Sequence, residues 1–157
     1  MAHKTPTLTK EQRELIEQLG VANEKANLPP ASARIMALLL VSPVVELPFE
    51  DISSMLNLSK SATSNALNHL LALERIEYVT HPGERRRYFR SRFSKWKTNV
   101  TEQLRSIEHA AQLLDKACAG RPANTPEFNA QLKELVDFMN YMVSELPGIL
   151  ARWEKRR

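Results

Sequence analysis

Between Pro48 and Arg92 the chain sets out its local signals in a fixed order, and that order restricts the fold more than any other feature of the sequence. A short stretch with Phe49, Ile52 and Leu56 at helical spacing opens at Pro48, a residue suited to the start of a helix. Asn57-Leu58-Ser59 then makes a tight turn, and Ser59 is placed to cap a second helix running to about Leu73. Next, β-forming residues flank His81-Pro82-Gly83-Glu84 in the stretch RIEYVTHPGERRRYFRS, a hairpin signal.

The second helix carries the chemistry. Thr63 (by its methyl), Ala66, Leu67, Leu70 and Leu71 fall on one side, while Lys60, Ser61, Ser64, Asn65, Asn68 and His69 share the other. A face shaped only for solubility would more often carry Glu and Lys. Small hydroxyl and amide side chains instead suit a major groove: Asn pairs with adenine in bidentate fashion, Ser reaches several bases, and Lys reaches guanine or phosphate. Taken alone, the same face is also an exposed helix built from poor helix formers. A short helix, a tight turn, a polar-faced helix and a basic hairpin in succession predict a winged helix-turn-helix.

Charge supports this reading. The chain of 157 residues has a net charge of +4, and all of the excess lies between Leu28 and Lys97, where ten Lys/Arg face six Asp/Glu. Residues 75–97 hold eight basic groups (Arg75, Arg85, Arg86, Arg87, Arg90, Arg92, Lys95, Lys97) against Glu77 and Glu84, a local +6. Runs of like charge are commonly just a solvated surface, but a patch this dense beside a polar helix attracts a polyanion, nucleic acid above all. With a Pro-Gly turn holding two strands in register, the arginines should line the wing tip and one strand, within reach of a narrow minor groove. Strand alternation would set Arg86 with Tyr88 on one face and Arg87 with Phe89 on the other, so Arg87 is equally placed to pack on its own protein.

Amphipathic helices flank this module. Thr9 and Gln12 form a capping-box pattern ahead of Leu15, Ile16, Leu19, Ala22 and Ala26. A short apolar helix, LPPASARIMALLLVS, follows with Pro30 in its first turn and should be buried. After the hairpin, Phe93, Trp96, Val100, Leu104, Ile107, Ala111, Leu114 and Cys118 step by three or four up to Gly120-Arg121-Pro122. Thr125 and Pro126 then start a further helix, with Phe128, Leu132, Leu135, Met139, Met142 and Leu146 in the same rhythm and Pro147 set to break or kink it. Such stripes exceed what one small module needs, and they predict a homodimer. Arg152, Lys155, Arg156 and Arg157 form a basic tail, read as solvated with an auxiliary phosphate contact as its alternative.

The stretch LPPASARIMALLLVSPVVELPFEDISSMLNLSKSATSNALNHLLALERIEYVTHPGERRRYFR resembles the MarR-like winged-helix transcription regulators, and within them the GbsR-type branch. LNLSKSATSNALNHLLALERIEYV looks like the turn and recognition helix, and HPGERRRYF like the wing. Wings in that family commonly read Asp-x-Arg at the tip, where this chain has Glu84-Arg85-Arg86. The resemblance implies a homodimer joined through its first and last helices, each wing reaching a minor groove, and for the branch a role in osmoprotectant uptake or synthesis genes.

The expected fold is therefore mainly α: a winged helix-turn-helix with a small β-hairpin wing over 28–92, an N-terminal helix in 1–27 contributing to dimerisation, and a helical dimerisation region in 93–157. The expected DNA contacts are Lys60, Ser61, Ser64, Asn65, Asn68, His69, Arg85, Arg86 and Arg87. The expected partners are double-stranded DNA carrying a pseudo-palindromic operator, a second copy of the chain, and a small-molecule effector as a candidate. The expected activity is that of a sequence-specific regulator, a repressor by first choice. A winged-helix adaptor that binds protein partners through its stripes, without sequence-specific DNA binding, is the alternative.

Enzyme readings find little support. His3, His69, His81 and His109 have no metal-ligand spacing, four glycines form no phosphate-binding loop, and no nucleophile elbow is present, so no cofactor is expected. Cys118 sits on an apolar stripe and reads as a structural thiol before a redox sensor. Trp96 reads as core before an effector-pocket wall offering a cation-π contact. A lone cysteine and the absence of an apolar leader point to the cytoplasm, and no apolar run approaches the roughly 20 residues of a membrane span.

Overall fold

The structure is a computed structural model in which residues 5–156 are described. His3 and Arg157, named above among the histidines and in the basic tail, lie outside the described residues. The chain divides into two compact units, Met1–Ser94 and Lys95–Arg157. The architecture is mainly helical, with one small antiparallel sheet.

In the first unit, helix α1 (Lys10–Lys25) begins at the expected capping box: Thr9 Oγ1 accepts from the Gln12 amide and Gln12 Oε1 from the Thr9 amide. It packs along α2 (Pro30–Val41), whose Ile35, Ala37 and Leu38 are fully buried. Gly20 permits the close approach, because a Cβ there would lie 3.0 Å from Cγ of Arg34. The Arg34 guanidinium in turn bridges back to Glu17 and Glu24 on α1.

The short helix α3 (Phe49–Met55) and the longer α4 (Lys60–Ala72) follow. The turn between them is built by Asn57 at φ 50°, with the Leu58 amide donating to the Ser53 carbonyl and the Asn57 amide to that of Ser54. This is the left-handed close of a helix end, a conformation that asparagine adopts at lower cost than most residues. Ser59 caps α4 as expected, its hydroxyl accepting from the Ala62 amide. Ile52, Leu67 and Leu70 enter one core with Ile35, Leu38 and Ile16.

Three strands complete the unit: β1 (Leu47–Pro48), β2 (Ile76–Val79) and β3 (Tyr88–Ser91), in the order β1-β3-β2 and antiparallel throughout. β1 is unforeseen in the sequence reading, since two residues, one of them proline, show no alternation. It exists because β3 offers an open edge to Leu47 and Pro48, on the side away from β2.

The second unit is an antiparallel pair, α5 (Trp96–Gly120) and α6 (Pro126–Glu154). Trp96 at the start of α5 meets Trp153 near the end of α6 edge to face at 5.3 Å, and Lys97 reaches Glu154 at 2.7 Å. At the other end Arg121 lies over Phe128 and donates to Asn129 and Thr125. Pro147 does not break α6, which continues to Glu154; a proline removes one amide donor, and the turns on either side keep theirs.

Candidate nucleic-acid interface

The buried side of α4 is Thr63, Ala66, Leu67 and Leu70. That fixes the rotation of the helix and leaves Lys60, Ser61, Ser64, Asn65 and Asn68 exposed on one face. The first turn holds no acidic residue, and Lys60 opens it. An acid there would suit the helix dipole, so this turn keeps its positive field free for an anion. His69 stands apart from the other five: it is half-buried at the flank of the face, and its Nδ1 lies 3.1 Å from the buried Ser32 hydroxyl on α2.

The wing turns at Pro82-Gly83. The Glu84 amide donates to the His81 carbonyl at 3.0 Å and Gly83 has φ 84°, which with proline ahead of it defines a type II turn. Beyond the turn the structure departs from the expected strand. Arg85, Arg86 and Arg87 form an exposed arch ahead of β3, so the alternation that would have divided them between two faces does not apply. Tyr88 and Phe89 are both buried, because β3 is the central strand and closes over the core. The Arg87 guanidinium lies 5.7 Å from the centroid of the Tyr78 ring, a contact with its own protein.

Not every arginine of the basic run is available to a polyanion. Arg90 donates to Glu77 at 2.7 Å, directly across the β2–β3 pair, and Arg92 reaches Glu74 at 3.0 Å. The open positive charge of the wing is therefore concentrated in the arch.

α4 and the arch face one groove of about 500 Å³, lined by Ser64, Asn68, Arg85, Arg86 and Arg87 together with Tyr78 and Glu50 among others. Two segments about 20 residues apart in sequence are thus brought onto one concave surface. Tyr78 and Glu50 were absent from the sequence reading. No local signal marks Glu50, and strand alternation sets Tyr78 on the same face as the buried Ile76, so its exposure depends on what the rest of the fold leaves uncovered. Among the described residues no cluster of three or more His, Cys, Asp or Glu could hold a metal ion, and no helix is long and apolar enough to cross a membrane.

A turn-linked helix pair with an open polar face and a β-wing carrying an arginine arch define a winged helix-turn-helix in the first unit. Comparison with known proteins gives the class a family likeness. The family model described as MmpR5-like MarR family transcriptional regulator matches residues 95–156, the helical pair. The HTH-type transcriptional regulator MmpR5 of Mycobacterium tuberculosis (strain ATCC 25618 / H37Rv) is 26% identical over 143 residues, covering 91% of this chain and 87% of the relative. A crystal structure described as a transcriptional regulator superposes with a TM-score of 0.70 at 25% identity, covering 92% of this chain and 99% of that one. The proteins to which the chain is similar are transcriptional regulators, not enzymes, and the likeness in structure is to a winged-helix fold.

Proposed function

We propose that the chain is a sequence-specific double-stranded DNA-binding repressor that acts in the cytoplasm as a homodimer, with a small molecule controlling its release. The observation that carries the DNA-binding part is the shared groove, in which Ser64 and Asn68 of α4 and Arg85–Arg87 of the wing face the same space. In this reading Lys60, Ser61, Ser64, Asn65 and Asn68 enter the major groove, His69 contacts its border, and the arch reaches the adjacent minor groove. Phosphate contacts set affinity and the amide and hydroxyl groups set preference.

Dimerisation draws support from α6, which carries two apolar stripes and not one. Leu132, Val136, Met139, Val143, Leu146, Leu150 and Trp153 repeat by four and three and are buried or half-buried. A second stripe, Phe128, Leu135, Phe138 and Ile149 with Tyr141 beside it, is exposed, Phe138 to 56%. Apolar patches of this size on a soluble protein mark an interface. α1 adds the exposed Leu15 and Val21. Two copies would set two recognition helices about one helical turn apart along the duplex.

Selection of bound duplexes from a random pool by the purified protein, at near-physiological salt to suppress unspecific phosphate attraction, tests the proposal. Enrichment of a palindrome with half-sites one turn apart is the expected result. Recovery of no motif would favour an adaptor whose exposed stripes serve a protein partner.

A further inference from the structure

The three arch arginines have no strand partners of their own, since β3 starts at Tyr88. A loop of this kind loses much conformational freedom when it is fixed against a ligand, so whatever orders it beforehand raises affinity. Two side chains bracket the arch. Tyr88, at one end, donates its hydroxyl to Glu84 Oε2, at the other, at 2.6 Å. Charge-assisted bonds of this length belong to the stronger class of hydrogen bond.

The Tyr88 ring is itself held in place. It is 7% exposed, sits in register with Pro48 on one side and Val79 on the other, and meets the His81 ring edge to face at 4.9 Å. His81 Nε2 in turn lies 2.5 Å from Glu46 Oε1, in the segment leading into β1. The hydroxyl therefore projects from a fixed ring toward a flexible carboxylate. Glu84 also neighbours all three arginines along the chain, and a free carboxylate there would pair with them in competition with phosphate.

We propose that the Tyr88 hydroxyl and the Glu84 carboxylate form a positioning staple, which closes the arch and holds Glu84 away from the arginines so that Arg85–Arg87 meet DNA in one preset arrangement. This rests on the DNA-binding reading above. The Tyr88 phenol is held above its ordinary ionisation range, first by its bond to Glu84 and then by burial, so the donor persists wherever the protein works near neutrality.

The test compares two neutral replacements of Glu84, each in the full-length chain with Tyr88 and with Tyr88→Phe. Glu84→Gln removes the charge and keeps an acceptor; Glu84→Ala removes both. Because both remove the same charge, the difference between them isolates the hydrogen bond. Glu84 is exposed and Tyr88→Phe keeps the buried ring, so all four proteins should fold, which circular dichroism checks. The probe is a mixed-sequence duplex of about three helical turns at low salt, with Arg86→Ala measured alongside.

We expect Glu84→Ala to bind about three- to ten-fold more weakly than Glu84→Gln when Tyr88 is present, and the ratio to fall to about one in Tyr88→Phe. Equal binding of the two replacements with Tyr88 present, while Arg86→Ala weakens binding, overturns the staple and leaves the DNA-binding reading intact. If Arg86→Ala also binds unchanged, the wing does not meet DNA and both fall.

Discussion

Arg90 Nε lies 2.7 Å from Glu77 Oε1, and the two residues face each other across the β2–β3 ladder. An arginine in the middle of the basic run thus serves the hairpin. Both side chains are about two-fifths exposed, so solvent screens the pair and it contributes at most about 1 kcal/mol. Arg86, four residues earlier, is exposed on the arch. Substituting each by alanine should separate the two roles. Arg86→Ala should weaken binding to all duplexes and reduce the slope of log affinity against log salt by about one. Arg90→Ala should leave that slope nearly unchanged. Fluorescence anisotropy across a salt series reads both.

Asn65 should behave differently from the wing. Its amide stands on the exposed face of α4, so Asn65→Ala should relax preference at particular base pairs by about 1–3 kcal/mol while leaving the salt slope in place. Competition between the selected duplex and single-base variants measures it. Equal discrimination by wild type and variant would remove Asn65 from base readout.

Leu70, on the opposite side of the same helix, is fully buried in the core of the first unit. Leu70→Ala should cost about 2–5 kcal/mol, from lost transfer free energy plus the cavity left behind. Urea unfolding followed by circular dichroism should show the shift in midpoint, and the folded fraction should retain its DNA preference.

Tyr88 supplies a pH prediction. Its folded-state pKa is raised, so its contribution to stability is complete below the ordinary tyrosine value and is lost as pH rises through the folded value. Ultraviolet titration of phenolate should show a step above the ordinary tyrosine range that Tyr88→Phe abolishes. Glu84→Ala should move the same step down, because the bond to Glu84 is the leading cause of the shift.

The exposed stripe of α6 gives a prediction for assembly. Phe138→Glu puts a charge at its centre, so if the proposed dimer forms through this stripe, sedimentation should report a dimer for the parent chain and a monomer for the variant. Affinity for a two-half-site duplex should fall far more than affinity for a single half-site.

Much of this was legible in the sequence because its causes are local. The capping box of Thr9 and Gln12, the Ser59 cap and the Pro82-Gly83 turn each need only a few neighbouring residues, and each is present. What the sequence hid depends on tertiary partners. The strand Leu47–Pro48 exists only because β3 lies beside it. The charge count over 75–97 overstated the open patch, since Glu77 and Glu74 engage Arg90 and Arg92. His69 has the helical spacing of an exposed residue but is turned to the flank, where Ser32 meets it. The three-four rhythm of α6 merged two stripes, and only packing against α5 tells Leu132 and Val136 from Phe128 and Leu135.

The most direct test of the central claim, that the α4 face and the arginine arch form one DNA-binding surface, is hydrogen–deuterium exchange of the chain with and without a bound duplex. The account predicts slowed exchange in two separate segments, the first half of α4 and residues 84–87, appearing together as duplex is added. Slowing confined to α6, or in only one of the two segments at saturating duplex, would contradict it.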